Sequence, residues 1–145
     1  MRLAAATFVA SLACIACSTA DSAQPAYIEM GKSFSLRVGE SALAREQTLR
    51  VGFEGVTSDS RCPKDEQCVW AGDAIARIWV QQGSGPKETR ALHTAAGAAQ
   101  AVRVLGVEVR LLSLDPYPGT GKPIANGNYV ATLALSRSSS ADPDR

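Results

Sequence analysis

Apolar side chains recur at every second position through most of this chain, and that period restricts its fold more than any other feature. In SFSLRV, Phe34, Leu36 and Val38 alternate with Ser33, Ser35 and Arg37. Successive side chains of a β-strand point to opposite faces, so this pattern describes a strand with one dry face and one wet face. TLRVGFEGV repeats it, with Leu49, Val51 and Phe53 against Arg50, Gly52 and Glu54. DAIARIWVQ sets Ala74, Ala76, Ile78 and Val80 on one face and Ile75, Arg77 and Trp79 on the other. Trp79 is then either covered, as in a central strand, or exposed for contact with a ligand or partner. KETRALHT reads as a weaker strand at an edge. AVRVLGVEVRLLSL alternates on both sides of Gly106, which is a bulge or a turn between two strands. NYVATLALS alternates Tyr129, Ala131, Leu133 and Leu135 with Val130, Thr132 and Ala134. Before it, DPYPGTGKP carries three prolines and two glycines, which makes it a long loop. TAAGAAQA has room for one helical turn, interrupted by Gly97.

About seven short strands separated by turn signals predict an all-β, single-domain β-sandwich of immunoglobulin-like architecture over residues 27–136, with a small β-barrel as the alternative. The 46% apolar content of 145 residues is enough for one such core. Fifteen basic against fourteen acidic residues leave a net charge of +1, which removes the broad electrostatic case for nucleic acid or an acidic membrane surface.

Residues 1–20 are of a different character. Arg2 precedes the fifteen-residue apolar run LAAATFVASLACIAC, the pattern of a signal peptide and short of the roughly 20 residues that cross a bilayer. Ser18-Thr19-Ala20 fits cleavage before Asp21, whereas Ile15-Ala16-Cys17 resembles a lipobox with Cys17 as the lipid-bearing residue. The second reading is preferred, although Cys14 stands where leucine is usual. Ser18 after Cys17 resembles the signal that sorts lipoproteins to the outer membrane, with soluble periplasmic or secreted protein as the alternative. Residues 21–26 read as a tether and residues 137–145 as a disordered tail.

Export implies an oxidising compartment. With Cys14 and Cys17 in the signal region, Cys62 and Cys68 are left to pair. They lie in DSRCPKDEQCVWAGDA. Their spacing differs from the two intervening residues of thioredoxin-like pairs, and with His93 they make at most three ligands, one short of a structural zinc site. Asp59, Asp65, Glu66 and Asp73 supply oxygens, but their spacing follows no known calcium loop, so no metal and no cofactor is expected. Asp59 and Arg61 are expected to organise the loop by hydrogen bonds to the backbone or to each other. Trp70 is expected to pack over the disulfide, burying on the order of 200 Å². Tyr117, between Pro116 and Pro118, is the best exposed aromatic on a rigid loop and a candidate anchor for a protein or glycan. The candidate binding residues are therefore Asp59, Arg61, Trp70 and Tyr117.

The block DSRCPxxxxCxWAGxA, after a strand ending in Phe53-Glu54-Gly55-Val56 and before an alternating strand, resembles a family of uncharacterised bacterial secreted proteins and lipoproteins. The likeness extends more weakly through LLSLDPYP to the last strand, over roughly residues 48–136. It implies a shared domain and no particular activity.

The resulting expectation is an exported, non-enzymatic envelope lipoprotein. It would be held at the outer membrane by its lipid alone and bind an envelope protein or surface component through its loops, for instance by offering the stapled loop to a protease cleft. The alternative is a small metal-binding or hydrolytic protein that uses loop carboxylates and His93. Metabolic fatty-acid labelling should mark the wild type and spare Cys17→Ser; equal labelling of the two would move the site to Cys14.

Overall fold

The computed structural model describes residues 26–44 and 48–138. The expected signal peptide with Cys14 and Cys17, the tether up to residue 25 and the tail from residue 139 lie outside these. One sheet holds β1 (Ala26–Ile28), β3 (Ser41–Ala44), β4 (Leu49–Asp59), β5 (Ala74–Gln82) and β6 (Glu88–His93), in the order β1-β3-β4-β5-β6. The other holds β2 (Ser33–Arg37), β7 (Ala101–Val104), β8 (Val107–Asp115) and β9 (Val130–Arg137), in the order β2-β9-β8-β7. All neighbours are antiparallel except β1 and β3. The two sheets do not close into a barrel, and the predicted β-sandwich is the fold. Among the described residues no helix is long and apolar enough to cross a membrane.

The period-two faces are those read from the sequence. Leu49, Val51, Phe53, Ala74, Ala76, Ile78 and Val80 are fully buried, and they meet Val109, Ala131, Leu133 and Leu135 from the opposite sheet. At roughly 25 cal/mol per Å² of buried apolar surface, this interlayer core is the main favourable term for the fold. Among the described residues there are nine strands rather than about seven, because β1 and β3 have only three and four residues and are too short to show a period. β1 takes Ala26 from the expected tether and β9 takes Arg137 from the expected tail, where it pairs with Val107.

Turn chemistry settles the places where the period breaks. Val104 pairs with Val107, and the intervening Leu105 and Gly106 have φ of 49° and 77°, the pattern of a two-residue type I′ hairpin turn. β6 is an edge strand, as expected. TAAGAAQA forms an irregular turn with no helix. A bulge between Leu111 and Ser113 reverses the faces of β8, leaving Leu112 52% exposed while Leu114 turns inward.

Trp79 lies on the outer face of its sheet and is covered locally, with no second layer over it. Its indole lies over its cross-strand partner Gly52, where an added Cβ would fall 2.1 Å from Cε2, and the Lys87 ammonium sits 4.1 Å from the ring centroid. Glycine at position 52 is therefore a steric requirement of the tryptophan. Gly52→Ala should destabilise the domain by about 1–3 kcal/mol in denaturant unfolding, the cost of overpacking. Trp79→Ala in the same chain should recover part of that loss, and strictly additive single effects would contradict the contact.

Candidate functional site

One end of the sandwich gathers the β4–β5 connection, the β8–β9 loop and the β6–β7 connection, since Asp59, Ala74, His93, Asp115 and Val130 all terminate strands there. The β4–β5 hairpin continues past its ladder. Ser60 N–H donates to Asp73 C=O at 2.7 Å and Cys62 N–H to Ala71 C=O at 2.8 Å. Between these bonds Gly72, at φ 72°, passes so close that a Cβ would lie 1.8 Å from the Ser60 carbonyl oxygen. The small volume at Ala71-Gly72 thus admits the returning strand. Cys62 and Cys68 are bonded, with Cα atoms 5.9 Å apart. The chain-entropy estimate for so short a loop is about 2 kcal/mol.

Within this end lies Arg61, 7% exposed and the one charged side chain in the buried class among the described residues. Its Nε and Nη2 donate to the two carboxylate oxygens of Asp59 at 2.9 and 2.7 Å. Nη1 donates to the Leu114 carbonyl at 2.6 Å and Nη2 also reaches the Pro116 carbonyl at 3.0 Å. The Tyr129 hydroxyl donates to Asp59 at 2.9 Å, and the Tyr117 ring lies 5.0 Å from the guanidinium carbon. Asp59 points inward because it pairs with the fully buried Ala74. Asp59 and Arg61 bond to each other and to backbone carbonyls, as expected of residues that organise the loop, and the carbonyls they reach belong to the opposite sheet and its loop, so the pair is an internal clasp between the sheets. Truncating one partner would leave a buried charge uncompensated, at about 3–5 kcal/mol.

The titrations of this cluster follow from its geometry. Burial by itself pushes Asp59 up, but the hydrogen bonds of Arg61 and Tyr129 and the guanidinium charge outweigh it and hold the carboxyl below its ordinary value. Burial and the Asp59 hydrogen bond push the Tyr129 phenol up to about 12. Arg61 stays protonated.

A second polar group sits at the adjoining corner. His93 Nδ1 lies 2.5 Å from Asp73 Oδ2, while Asp73 Oδ1 accepts from the Thr94 and Ala95 amides at 3.0 and 2.9 Å and from the Thr94 hydroxyl at 3.2 Å. Burial opposes ionisation of Asp73, but the His93 hydrogen bond and the Ala95 amide lower its pKa overall. The four acids considered as calcium ligands are distributed among different tasks. Asp59 serves the clasp and Asp73 holds the β6–β7 corner, while Asp65 and Glu66 are exposed on the stapled loop. Among the described residues no three His, Cys, Asp or Glu side chains form a group able to hold a metal ion.

Trp70 is not a lid on the disulfide. It is 78% exposed and Val69 is fully exposed, because the hairpin has by then risen past the end of the sandwich, where no opposing layer remains. Tyr117 is 50% exposed as expected, with the Arg61 guanidinium against its ring. The amide of Lys64 donates to the Pro118 carbonyl at 3.2 Å and joins the stapled loop to the proline loop. Tyr117 lines the grooves on both of its sides. One, of about 210 Å³, has Arg61, Gln100, Leu112 and Ser113 in its walls. The other, of about 280 Å³, runs between the two loops.

No protein-family model, curated protein or solved structure matches the chain.

The participant to which the sequence pattern assigns no role is Tyr129, which stands just before β9 in phase with Ala131, Leu133 and Leu135. That placement was itself a signal, because a buried phenol requires a hydrogen-bond acceptor. Spectrophotometric titration should show one of the three tyrosines ionising at about 12, and Tyr129→Phe should remove that component. A raised pKa favours the neutral form in the fold, so this contribution to stability is complete below pH 10 and declines as pH rises through about 12. The depressed pKa of Asp59 acts in the opposite direction, its contribution being lost as pH falls below the ordinary carboxyl range.

Proposed function

We propose that the protein is an exported bacterial envelope lipoprotein, tethered at the outer membrane through Cys17, whose stapled end is a non-enzymatic binding surface for an envelope protein or surface component. The observation that carries this reading is the division of labour at that end. Its buried polar groups are paired with one another, while Val69, Trp70 and Tyr117 are held out to solvent on rigid loops. Large aromatics on a preorganised surface are the usual anchors of binding sites, since little side-chain or loop entropy is lost on contact. The disulfide accords with an oxidising compartment, and the resemblance to uncharacterised bacterial secreted proteins and lipoproteins points the same way.

The tip of the stapled loop is a turn. Glu66 N–H donates to the Pro63 carbonyl at 3.0 Å and closes a turn over Lys64 and Asp65. Nothing in the net charge of +1 favours nucleic acid, and contact with the membrane is assigned to the lipid alone.

Photo-crosslinking residues placed at positions 70 and 117 should give adducts in intact envelopes. A probe at Ser84, exposed in the turn at the opposite end, should give none. Equal adducts from all three positions, or none from any, would remove the stapled end as the binding surface.

A further inference from the structure

We infer that the groove between the stapled loop and the proline loop is a subsite for a sugar that carries a carboxylate. This rests on the reading of the stapled end as a binding surface and assigns a ligand class to it. The groove, about 280 Å³, is lined by Lys64, Asp65, Tyr117, Lys122, Ile124 and Asn128 among others. Each part of an acidic sugar finds its chemical counterpart in that set. The C–H face of a pyranose is flat and apolar and packs on an aromatic ring, a place that half-exposed Tyr117 provides, with Ile124 adding apolar surface to the lining. Ring hydroxyls and an acetamido group both donate and accept hydrogen bonds, which the Asp65 carboxylate and the Asn128 amide complement. A carboxylate calls for cationic donors, and Lys64 and Lys122 leave the three charged groups of the lining with a net charge of +1.

The geometry is also preorganised. The Lys64 amide bond to Pro118 joins the two walls, the Lys122 amide donates to Gly119 C=O at 3.1 Å, and Arg61 lies against the Tyr117 ring. An apolar peptide would leave both lysines and Asp65 without counterparts. A neutral sugar would leave the lysines unpaired.

The test is a chemical-shift titration of the purified protein with N-acetylmuramic acid, and with N-acetylglucosamine as its neutral counterpart. The acidic sugar should shift the amides of Lys64, Asp65, Gly119, Lys122 and Asn128 and leave those around Ser84 in place. It should bind about tenfold or more tightly than the neutral sugar, the equivalent of one charge-assisted hydrogen bond. Tyr117→Ala should abolish the shifts, and the double variant Lys64→Gln, Lys122→Gln should bring the acidic sugar down to the affinity of the neutral one. These residues are exposed, so the variants should fold, which an unchanged unfolding midpoint will verify. Parallel arms with soluble cell-wall glycan fragments and with oligogalacturonate identify the source of the acid sugar by which binds more tightly. Absence of shifts with every acidic sugar, or shifts that survive Tyr117→Ala, would overturn the inference. If in that case crosslinking from positions 70 and 117 still yields protein adducts, the stapled end remains a binding surface, but one for a polypeptide.

Discussion

The Asp59–Arg61 pair sets the geometry of the stapled end of this protein. β7 stops at Ala101, opposite Arg110, whereas β8 continues to Asp115. Beyond that point β8 has β9 on one side and no strand on the other. The guanidinium takes the place of the absent strand by donating to the carbonyls of Leu114 and Pro116. An arginine suits this task because its planar donors engage a carboxylate and separate carbonyls simultaneously, and because it keeps its charge when buried. Asp59 is needed to balance that charge, and Tyr129 adds a donor to the same carboxylate from the start of the last strand. One cluster therefore joins the long hairpin of one sheet to the central strands of the other. The same cluster fixes the loop that presents Tyr117.

How far the sequence foretold this depends on the range of the interaction. Local alternation identified the dry faces of β4, β5, β8 and β9, because a strand's two faces are written in adjacent residues. Bulges were not legible. The extra residue at Leu112 obeys the pairing with β9, a partner distant in the chain, and it alone decides that Leu114 faces inward and Leu112 outward. The conformations at Gly72 and Gly106 were foreshadowed by residue type, since small residues marked where the chain had to turn or pass close to itself. Trp70 was misplaced for an instructive reason. Its neighbourhood in sequence put it beside a disulfide, but its height above the sheet, set by the continued pairing of Ser60 with Asp73 and Cys62 with Ala71, left nothing to pack against it. Tyr117, by contrast, was legible because prolines on both sides forbid regular structure, and loop residues are usually exposed.

The candidate site inherits both parts of this arrangement. Buried polar groups are costly unless satisfied, and here Arg61, Asp59 and Tyr129 satisfy one another, so they contribute rigidity and shape and offer little surface of their own. The groups that do reach solvent stand on loops whose main chains are bonded to each other and stapled by the Cys62–Cys68 bridge. Recognition at such an end loses less loop entropy than recognition by a mobile loop, so even a shallow groove can be selective. The asymmetry also governs how variation should act. If the end binds as proposed, exchange of Tyr117, Lys64 or Lys122 should alter what it binds, because none of them pairs in either sheet. A change at Asp59, Arg61 or Tyr129 alters whether that end exists, because the strand ends and the proline loop are held together through them.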